Sequence, residues 1–220
     1  MCSNKRKELI KKYNNIEKNA KKNILDELKD NNMLYVEDNI NVESNVCIIL
    51  SCPGQEELIA DKVCAGETGE NLERILELVR AHDLNKCLTQ SKRANENEQR
   101  YTYTIINSVR DVYFRAYNGA EADEDAVIDI NNITRIKKEL DACNIKYFMV
   151  CGNNAKLLYE QIKSCFIDVE VSFVSHIGWV GLRNEYKNDN AELKGLDTGK
   201  KRDEKRLEIV ANKIIKDLKL

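Results

Sequence analysis

Residues 46–78 read VCIILSCPGQEELIADKVCAGETGENLERILEL, and they predict how the rest of the chain is arranged. The run at 46–50 is apolar and rich in β-branched residues, which predicts a strand buried on both faces. Pro53, the only proline in the chain, ends that strand because it offers no N–H to a neighbouring strand. A turn at Gly66 and Gly69 then leads into a helix with apolar residues at helical spacing. We therefore expect a site at the carboxyl edge of a sheet, where a strand–loop–helix unit places its loop.

Three further runs of strand-forming residues follow, at 101–106, 147–151 and 169–174. Helical segments separate the runs, and this alternation is typical of a parallel sheet with helices on both faces. The sequence therefore predicts an α/β fold, a three-layer α/β/α arrangement with a central four-stranded, mainly parallel sheet. The length of 220 residues suits a single domain, residues 1–220. The loops that leave the strands are expected to meet at one edge of the sheet.

An added N-terminal helix is predicted at about 4–31. Its apolar residues recur at helical spacing and form one stripe: Leu9, Tyr13, Ile16, Ala20, Ile24 and Leu28. The other faces of this helix are rich in lysine. That surface is either a solvated helix face or a surface that contacts nucleic-acid phosphates.

Composition limits the classes of partner and cofactor. The net charge is −2, so the molecule as a whole does not attract nucleic acid, although a local basic face is compatible with this value. No apolar run reaches membrane-spanning length and the first residues lack an apolar signal core, so we expect a cytoplasmic protein with no membrane partner. The eight cysteines include no C-x-x-C pair. We therefore expect no metal site and no other cofactor.

The loop after the first predicted strand carries PGQEE at 53–57, and GETGENL follows at 66–72. This pattern resembles the first motif of the uracil-DNA glycosylase superfamily, which reads roughly P-G-x-x-E, then a phenylalanine, then G-x-A-G-x-L-L. The chain departs from the motif at Ser51 and Cys52, where acidic or amide residues are common, and at Cys64, near the place of the family's base-stacking phenylalanine. The resemblance implies the following base-binding residues: Ser51, Cys52, Pro53, Gly54 and Cys64.

The later strand ends resemble the family's other motifs in the same order. The second strand leads into INSVR at 106–110, which is similar to T-N-x-x-K. Asn107 is then a candidate base reader, and the alternative is a turn asparagine that satisfies local backbone. VCGNNA at 150–155 is similar to LLG-x-x-A. The last strand leads to His176, in the place of the family's H-P-S, although the proline and serine are missing. The alternative for His176 is a purely structural histidine.

The segment after His176 is expected to contact DNA, because the corresponding loop of the family wedges into the duplex. Trp179, the only tryptophan in the chain, or Leu182 would enter the base stack left by an extruded nucleotide. Arg183 would hold a flanking phosphate. The predicted DNA-binding residues are Gly178, Trp179, Leu182 and Arg183.

The resemblance implies a DNA glycosylase, which flips a base out of the helix and hydrolyses its N-glycosidic bond, leaving an abasic site. His176 is expected to stabilise the negative charge on the departing base. Glu56 or Glu57 is expected to orient water or to offset positive charge on the sugar. A related branch of the family binds an iron–sulfur cluster through cysteines that this chain lacks, so no such cluster is expected. We expect a monomer whose partner is DNA.

The substrate is expected to be a damaged or modified base rather than uracil, in DNA repair or in defence against modified phage DNA. Compared with the family's phenylalanine, a cysteine at position 64 leaves more space in the pocket and loses the stacking contact with the base. Another aromatic residue could fill this space: Tyr113, Phe114 or Trp179. Two other functions are compatible with the sequence. One is a non-catalytic nucleic-acid or nucleotide-binding module on the same fold. The other is an enzyme that processes nucleosides or nucleotide sugars on a doubly wound sheet.

Overall fold

The computed structural model describes residues 2–16, 18–83, 87–88, 98–114, 117–119, 121–187, 190–196 and 198–220. The strands in these ranges are β1 (Val46–Leu50), β2 (Thr104–Asn107), β3 (Tyr147–Cys151) and β4 (Glu170–Val174). The first α-helices are α1 (Cys2–Asn15), α2 (Lys18–Asp30), α3 (Gln55–Ala60), α4 (Gly66–His82) and α5 (Glu124–Ile128). The later ones are α6 (Ile130–Leu140), α7 (Asn153–Ile162), α8 (Trp179–Glu185) and α9 (Gly199–Asp217).

The strands form one sheet in the order β2–β1–β3–β4, and every neighbouring pair is parallel. Ile49 of β1 pairs with Ile106 of β2 on one side and with Val150 of β3 on the other. All five residues of β1 are buried, as expected for a strand covered on both faces. The predicted α/β fold with a central four-stranded parallel sheet is confirmed.

Two hydrophobic clusters cover the two faces of the sheet. Successive side chains of a strand point to opposite faces, so Ile48 lies in one cluster and Ile49 in the other. Helices α1, α2, α4 and α9 contribute to the first cluster, and α5, α6 and α7 contribute to the second. The predicted three layers are therefore present. No helix within the described ranges is long and apolar enough to cross a membrane.

The second strand begins three residues later than predicted. Residues Gln99–Thr102 form a 3-10 helix, so the strand covers Thr104–Asn107 rather than 101–106. A long-range contact holds this turn, because the Tyr101 hydroxyl donates to the Val63 carbonyl at 2.9 Å. Local alternation of apolar and polar residues carries no information about such a partner.

The helix predicted at 4–31 is in fact two antiparallel helices, α1 and α2, with a bend at Ile16. Lys5 near the start of α1 pairs with Glu27 near the end of α2 at 3.2 Å. A straight helix of this length would extend about 40 Å. Folding back instead lets the apolar stripes of both halves reach the same hydrophobic cluster.

This N-terminal hairpin contacts two loops at the carboxyl edge of the sheet. Gln55, the first residue of α3, donates from Nε2 to the Tyr13 hydroxyl at 2.9 Å. In the loop after β2, the Tyr117 hydroxyl donates to a carboxylate oxygen of Asp26 at 2.9 Å. The hairpin therefore fixes both loops from the side of the first cluster.

Candidate functional site

A cavity of about 560 Å³, here called the edge cavity, opens at the carboxyl edge of the sheet. The loop after β1, the end of β2 and the loop after β4 all contribute to its wall. Six of the residues predicted from the sequence line it: Ser51, Cys52, Gly54, Glu57, Asn107 and His176. The structure therefore brings together the strand ends that the sequence predicted to meet.

Asn107 ends β2, and its side chain is completely buried at the wall of the edge cavity. Its backbone N–H donates to Asp38 Oδ1 at 2.8 Å. In the part of the chain that the structure describes, neither the oxygen nor the nitrogen of its side-chain amide has a hydrogen-bond partner. A buried polar group left unpaired costs about 1–3 kcal/mol. A ligand in the cavity would supply the missing partners.

Asp38 holds the strand end that carries Asn107. Its carboxylate is fully buried and pairs with Arg135 of α6. Burial raises the pKa of Asp38 to about 7, and the charge of Arg135 opposes this rise. On the other side, the Ser108 hydroxyl donates to the Leu50 carbonyl at 2.7 Å. The backbone at Asn107 is thus fixed from two directions. No sequence pattern indicated Asp38, because it lies outside every motif.

His176 follows β4 and presents a neutral imidazole to the edge cavity. Its Nδ1 accepts the Gly178 N–H at 3.0 Å. A ring nitrogen that accepts a hydrogen bond carries no proton, so the proton of the neutral ring is on Nε2. Burial lowers the pKa of His176, which favours the neutral form, and the negative charge of Glu121 opposes this effect. The ring therefore offers one N–H donor, from Nε2.

Three glycines, at positions 152, 178 and 181, surround His176. A Cβ added to Gly181 would lie 2.3 Å from the His176 carbonyl oxygen, and one added to Gly178 would lie 3.0 Å from the His176 Cε1. Contacts this short would force neighbouring atoms to move, so the imidazole position depends on bare backbone at these places. Gly178 was predicted to contact DNA, and in the structure it donates the hydrogen bond that orients His176.

Gly181→Ala is expected to destabilise the protein by about 1–3 kcal/mol, because the new methyl group overlaps the His176 backbone. Urea denaturation of the variant measures this loss. Gly199→Ala is the matched control, since a Cβ at Gly199 would meet nothing within 4 Å. Equal stabilities for the two variants would show that the backbone around His176 adjusts without cost.

The two candidate acids occupy different places. Glu57 lines the edge cavity, and one of its carboxylate oxygens accepts the Gly54 N–H at 2.8 Å. Burial raises the pKa of Glu57 to about 7, although the Gly54 N–H opposes the rise. Glu56 is exposed, and its carboxylate accepts the Glu67 N–H at 3.2 Å at the start of α4. The geometry therefore favours Glu57 over Glu56 as the acid of the site.

No protein-family model matches the sequence, and no curated protein matches it significantly. Among the described residues, no three histidine, cysteine, aspartate or glutamate side chains are grouped closely enough to hold a metal ion. The interpretation of the edge cavity therefore rests on its own hydrogen-bonding groups, charges and aromatic surfaces.

Aromatic side chains reach the edge cavity from two of the three alternative positions that the sequence offered in place of Cys64. Cys64, expected at the base-stacking position, is fully buried in the first hydrophobic cluster and does not line the cavity. Tyr113 and Phe114, in the loop after β2, line it instead. Pro53 was predicted to contact the base, but it is buried and its carbonyl accepts the Tyr113 N–H at 2.9 Å. Pro53 therefore anchors the aromatic segment.

The predicted wedge segment after His176 is the short helix α8. Leu182 is completely buried, which contradicts its predicted role as a wedge into DNA. Successive residues of a helix are rotated by about 100°, so Val180 lies on the opposite side, where it is 68% exposed and lines the edge cavity. Trp179 is partly buried against the first cluster. The Arg183 guanidinium lies over the Trp179 ring, 5.5 Å from its centroid.

Some residues of the cavity wall were not predicted from the sequence: Thr68, Glu121, Val180 and Asn184. Val180 and Asn184 are four residues apart, which places them on one face of α8. Recognising a helix after His176 would have identified both. Glu121 lies in an acidic stretch with no periodicity, so no local pattern indicated that it would approach His176.

Proposed function

We propose that this protein is a DNA glycosylase of the uracil-DNA glycosylase superfamily that releases a damaged or modified base. The observation that carries the proposal is the completely buried amide of Asn107, whose oxygen and nitrogen are both unpaired at the wall of the edge cavity within the described part of the chain. A nucleobase edge presents hydrogen-bond donors and acceptors side by side, and a side-chain amide can pair with such an edge. The order of the motifs along the chain supports the same function.

His176 and Glu57 line the same cavity and suit the two halves of the reaction. When the C1′–N bond breaks, its electron pair leaves with the base and the sugar becomes positively charged. The Nε2–H of His176 would donate to the base as negative charge develops on it. The Glu57 carboxylate would orient a water molecule, whose oxygen bonds to C1′ while one of its protons passes to the carboxylate.

The edge cavity has room for a base larger than uracil. Its volume of about 560 Å³ falls within the range of small-molecule pockets, about 300–1,000 Å³. Tyr113 and Phe114 supply an aromatic surface, so the absence of an aromatic ring at Cys64 no longer argues for an enlarged base. The expectation of an enlarged base rests on the cavity volume instead. Competition between uracil-containing DNA and DNA with a bulky modified pyrimidine tests the expectation. Preferential release of uracil would limit the proposal to uracil repair.

The test of the proposed function is base release from a panel of oligonucleotides, each with one uracil, damaged base or modified base. Strand cleavage by alkali at the abasic site reports the release.

The alternative function is a non-catalytic binding module. The hydrogen bond from the Gly54 N–H to Glu57 favours this alternative, because it gives the Glu57 carboxylate a structural role. Such a module would retain an oligonucleotide without releasing any base. Cleavage of free nucleosides would instead indicate an enzyme that processes nucleosides or nucleotide sugars.

Glu57→Gln is expected to slow base release and to remove part of its pH dependence. Glutamine keeps an oxygen that can accept the Gly54 N–H, so the loop is retained while the charge is removed. The pKa of Glu57 is raised to about 7. Release by the wild type should therefore increase as pH rises through 7, because the ionised form becomes populated. The glutamine variant should lack this increase in a pH–rate profile.

The raised pKa of Glu57 also affects stability, with the opposite sign. The folded state holds this proton more tightly than the unfolded state, so the contribution of Glu57 to the free energy of unfolding decreases as pH rises from 4.5 to about 7. Relative to Glu57→Gln, the wild type should be most stable below pH 4.5 and least stable above pH 7. Urea denaturation across this range measures the difference, and a difference independent of pH would contradict the raised pKa.

A further inference from the structure

A groove of about 340 Å³ with strongly basic walls lies between α8 and the start of α9. Its charged lining consists of four basic side chains and one carboxylate: Arg183, Lys187, Arg202, Arg206 and Asp203. The chain as a whole has a net charge of −2. The positive charge of this groove is therefore a local feature of the surface, here called the basic groove.

Asp203 organises the guanidinium groups of the basic groove without neutralising them all. It accepts from Arg183 at 2.6 Å and from the nearly buried Arg206 at 2.7 Å. Arg202 is held by a different group, since its Nε donates to the Leu196 carbonyl at 3.0 Å. Among the described residues that line the groove, four basic side chains face one carboxylate, which leaves an excess of positive charge. Lys187, which is exposed, adds to that excess.

Helix α8 separates the basic groove from the edge cavity. Val180 and Asn184 line the edge cavity, and Arg183 and Lys187 line the basic groove. Val180 and Asn184 are four residues apart and share one face of α8, and Arg183, three residues after Val180, lies on the adjacent face. Lys187 follows the end of the helix at Glu185. The two spaces therefore lie within about one helix diameter, 10–12 Å.

The first turn of α9 has a charge pattern that does not favour the helix. Residues 199–202 read GKKR and contain no acid. Basic residues near a helix N-terminus are opposed by the helix dipole, which favours anions there. Local charge choices that weaken a structural element are expected at functional sites. This pattern adds to the observation that the groove is lined by four basic side chains.

We infer that the basic groove binds a backbone phosphate of the nucleic-acid strand whose base enters the edge cavity. This inference rests on the proposed function and extends it by assigning a phosphodiester site next to the cavity. Guanidinium groups match the oxygens of a phosphate in geometry and charge. Arg183, expected from the sequence to hold a flanking phosphate, shares this role with Lys187 and Arg202.

The test is the salt dependence of binding to an oligonucleotide that contains a non-hydrolysable abasic analogue. The double variant Arg183→Gln/Lys187→Gln removes two exposed charges and is expected to fold, because exposed ion pairs contribute little to stability. The slope of log affinity against log salt should become shallower by about 0.9 for each duplex phosphate that the variant no longer neutralises. The matched control, Lys137→Gln/Lys138→Gln, removes two exposed charges from α6 and should keep the slope of the wild type.

The outcomes separate this inference from the proposed function. The protein could release no base and still bind the oligonucleotide with a salt slope that depends on Arg183 and Lys187. This result would support the phosphate site and contradict the glycosylase function. Equal slopes for the two double variants, or the absence of oligonucleotide binding by the wild type, would overturn the phosphate site. Thermal stabilisation by inorganic phosphate that the oligonucleotide does not displace would assign the groove to a small anion and likewise overturn it.

Discussion

Replacing His176 with alanine is expected to slow base release by about 100- to 1,000-fold, the usual cost of removing a donor to developing negative charge. The donor that is removed is Nε2–H, because Nδ1 of His176 is occupied by the Gly178 N–H at 3.0 Å. The free energy of unfolding should fall by only about 1 kcal/mol, the net value of one hydrogen bond. The imidazole is only partly buried, so its removal leaves space that is continuous with the edge cavity.

The measurement combines single-turnover base release with thermal melting of the same preparations. His82→Ala is the matched control, since His82 is the only other histidine in the chain and is exposed in the last turn of α4. It should leave both release and melting unchanged. A loss of stability in His176→Ala that accounts for the loss of release would assign His176 a structural role.

The strand ends could be predicted from the sequence because their signals are local. Val46–Leu50 is apolar throughout and stops before the only proline, and the structure places β1 at these residues. Tyr147–Cys151 stops at a glycine in the same way and forms β3. In a parallel sheet the carboxyl ends of all strands lie at one edge. Asn107 and His176 are therefore expected at the same edge of the sheet, although β1 and β3 lie between their strands and the loops decide that both line one cavity.

The sequence left open whether Tyr113, Phe114 or Trp179 supplies an aromatic surface in place of Cys64, because the choice depends on long-range packing. Cys64 occupies the expected position in the sequence, but it packs into the core. Phe114 reaches the cavity from another strand end, within a segment fixed by the hydrogen bond from the Tyr113 N–H to the Pro53 carbonyl. The residues that meet are about 60 positions apart along the chain, and motif spacing contains no information about such a contact.

The side chains of α8 show a second limit of prediction from sequence. The resemblance to a loop that wedges into DNA predicted a loop around Trp179, in which any apolar residue can point outwards. The structure instead forms a helix at Trp179–Glu185, and helical rotation buries Leu182 while exposing Val180. Tertiary packing of α8 against α9 decides this conformation, which local glycine content opposes.

Asn107→Ala is expected to weaken binding of the flipped base without loss of stability. The wild-type amide is completely buried and both of its polar atoms are unpaired within the described residues, so its removal relieves a penalty of about 1–3 kcal/mol. This relief should offset the loss of packing on truncation, and the free energy of unfolding should stay the same or rise by about 1 kcal/mol. Affinity for the flipped base should fall by about 10- to 100-fold, because the variant cannot form the two hydrogen bonds to the base.

Asn154→Ala provides the matched control for Asn107→Ala, because the same atoms are removed from a similarly buried asparagine that has a partner. Asn154 is 6% exposed, and its Nδ2 donates to the Ala122 carbonyl at 3.0 Å. This control should lose about 1–3 kcal/mol in urea denaturation, since the carbonyl is left unpaired. Equal losses in the two variants would show that the Asn107 amide is paired within the folded chain, and its assignment as the group that pairs with the base would be withdrawn. A stable Asn107→Ala protein with unchanged base release would remove the observation that carries the glycosylase proposal.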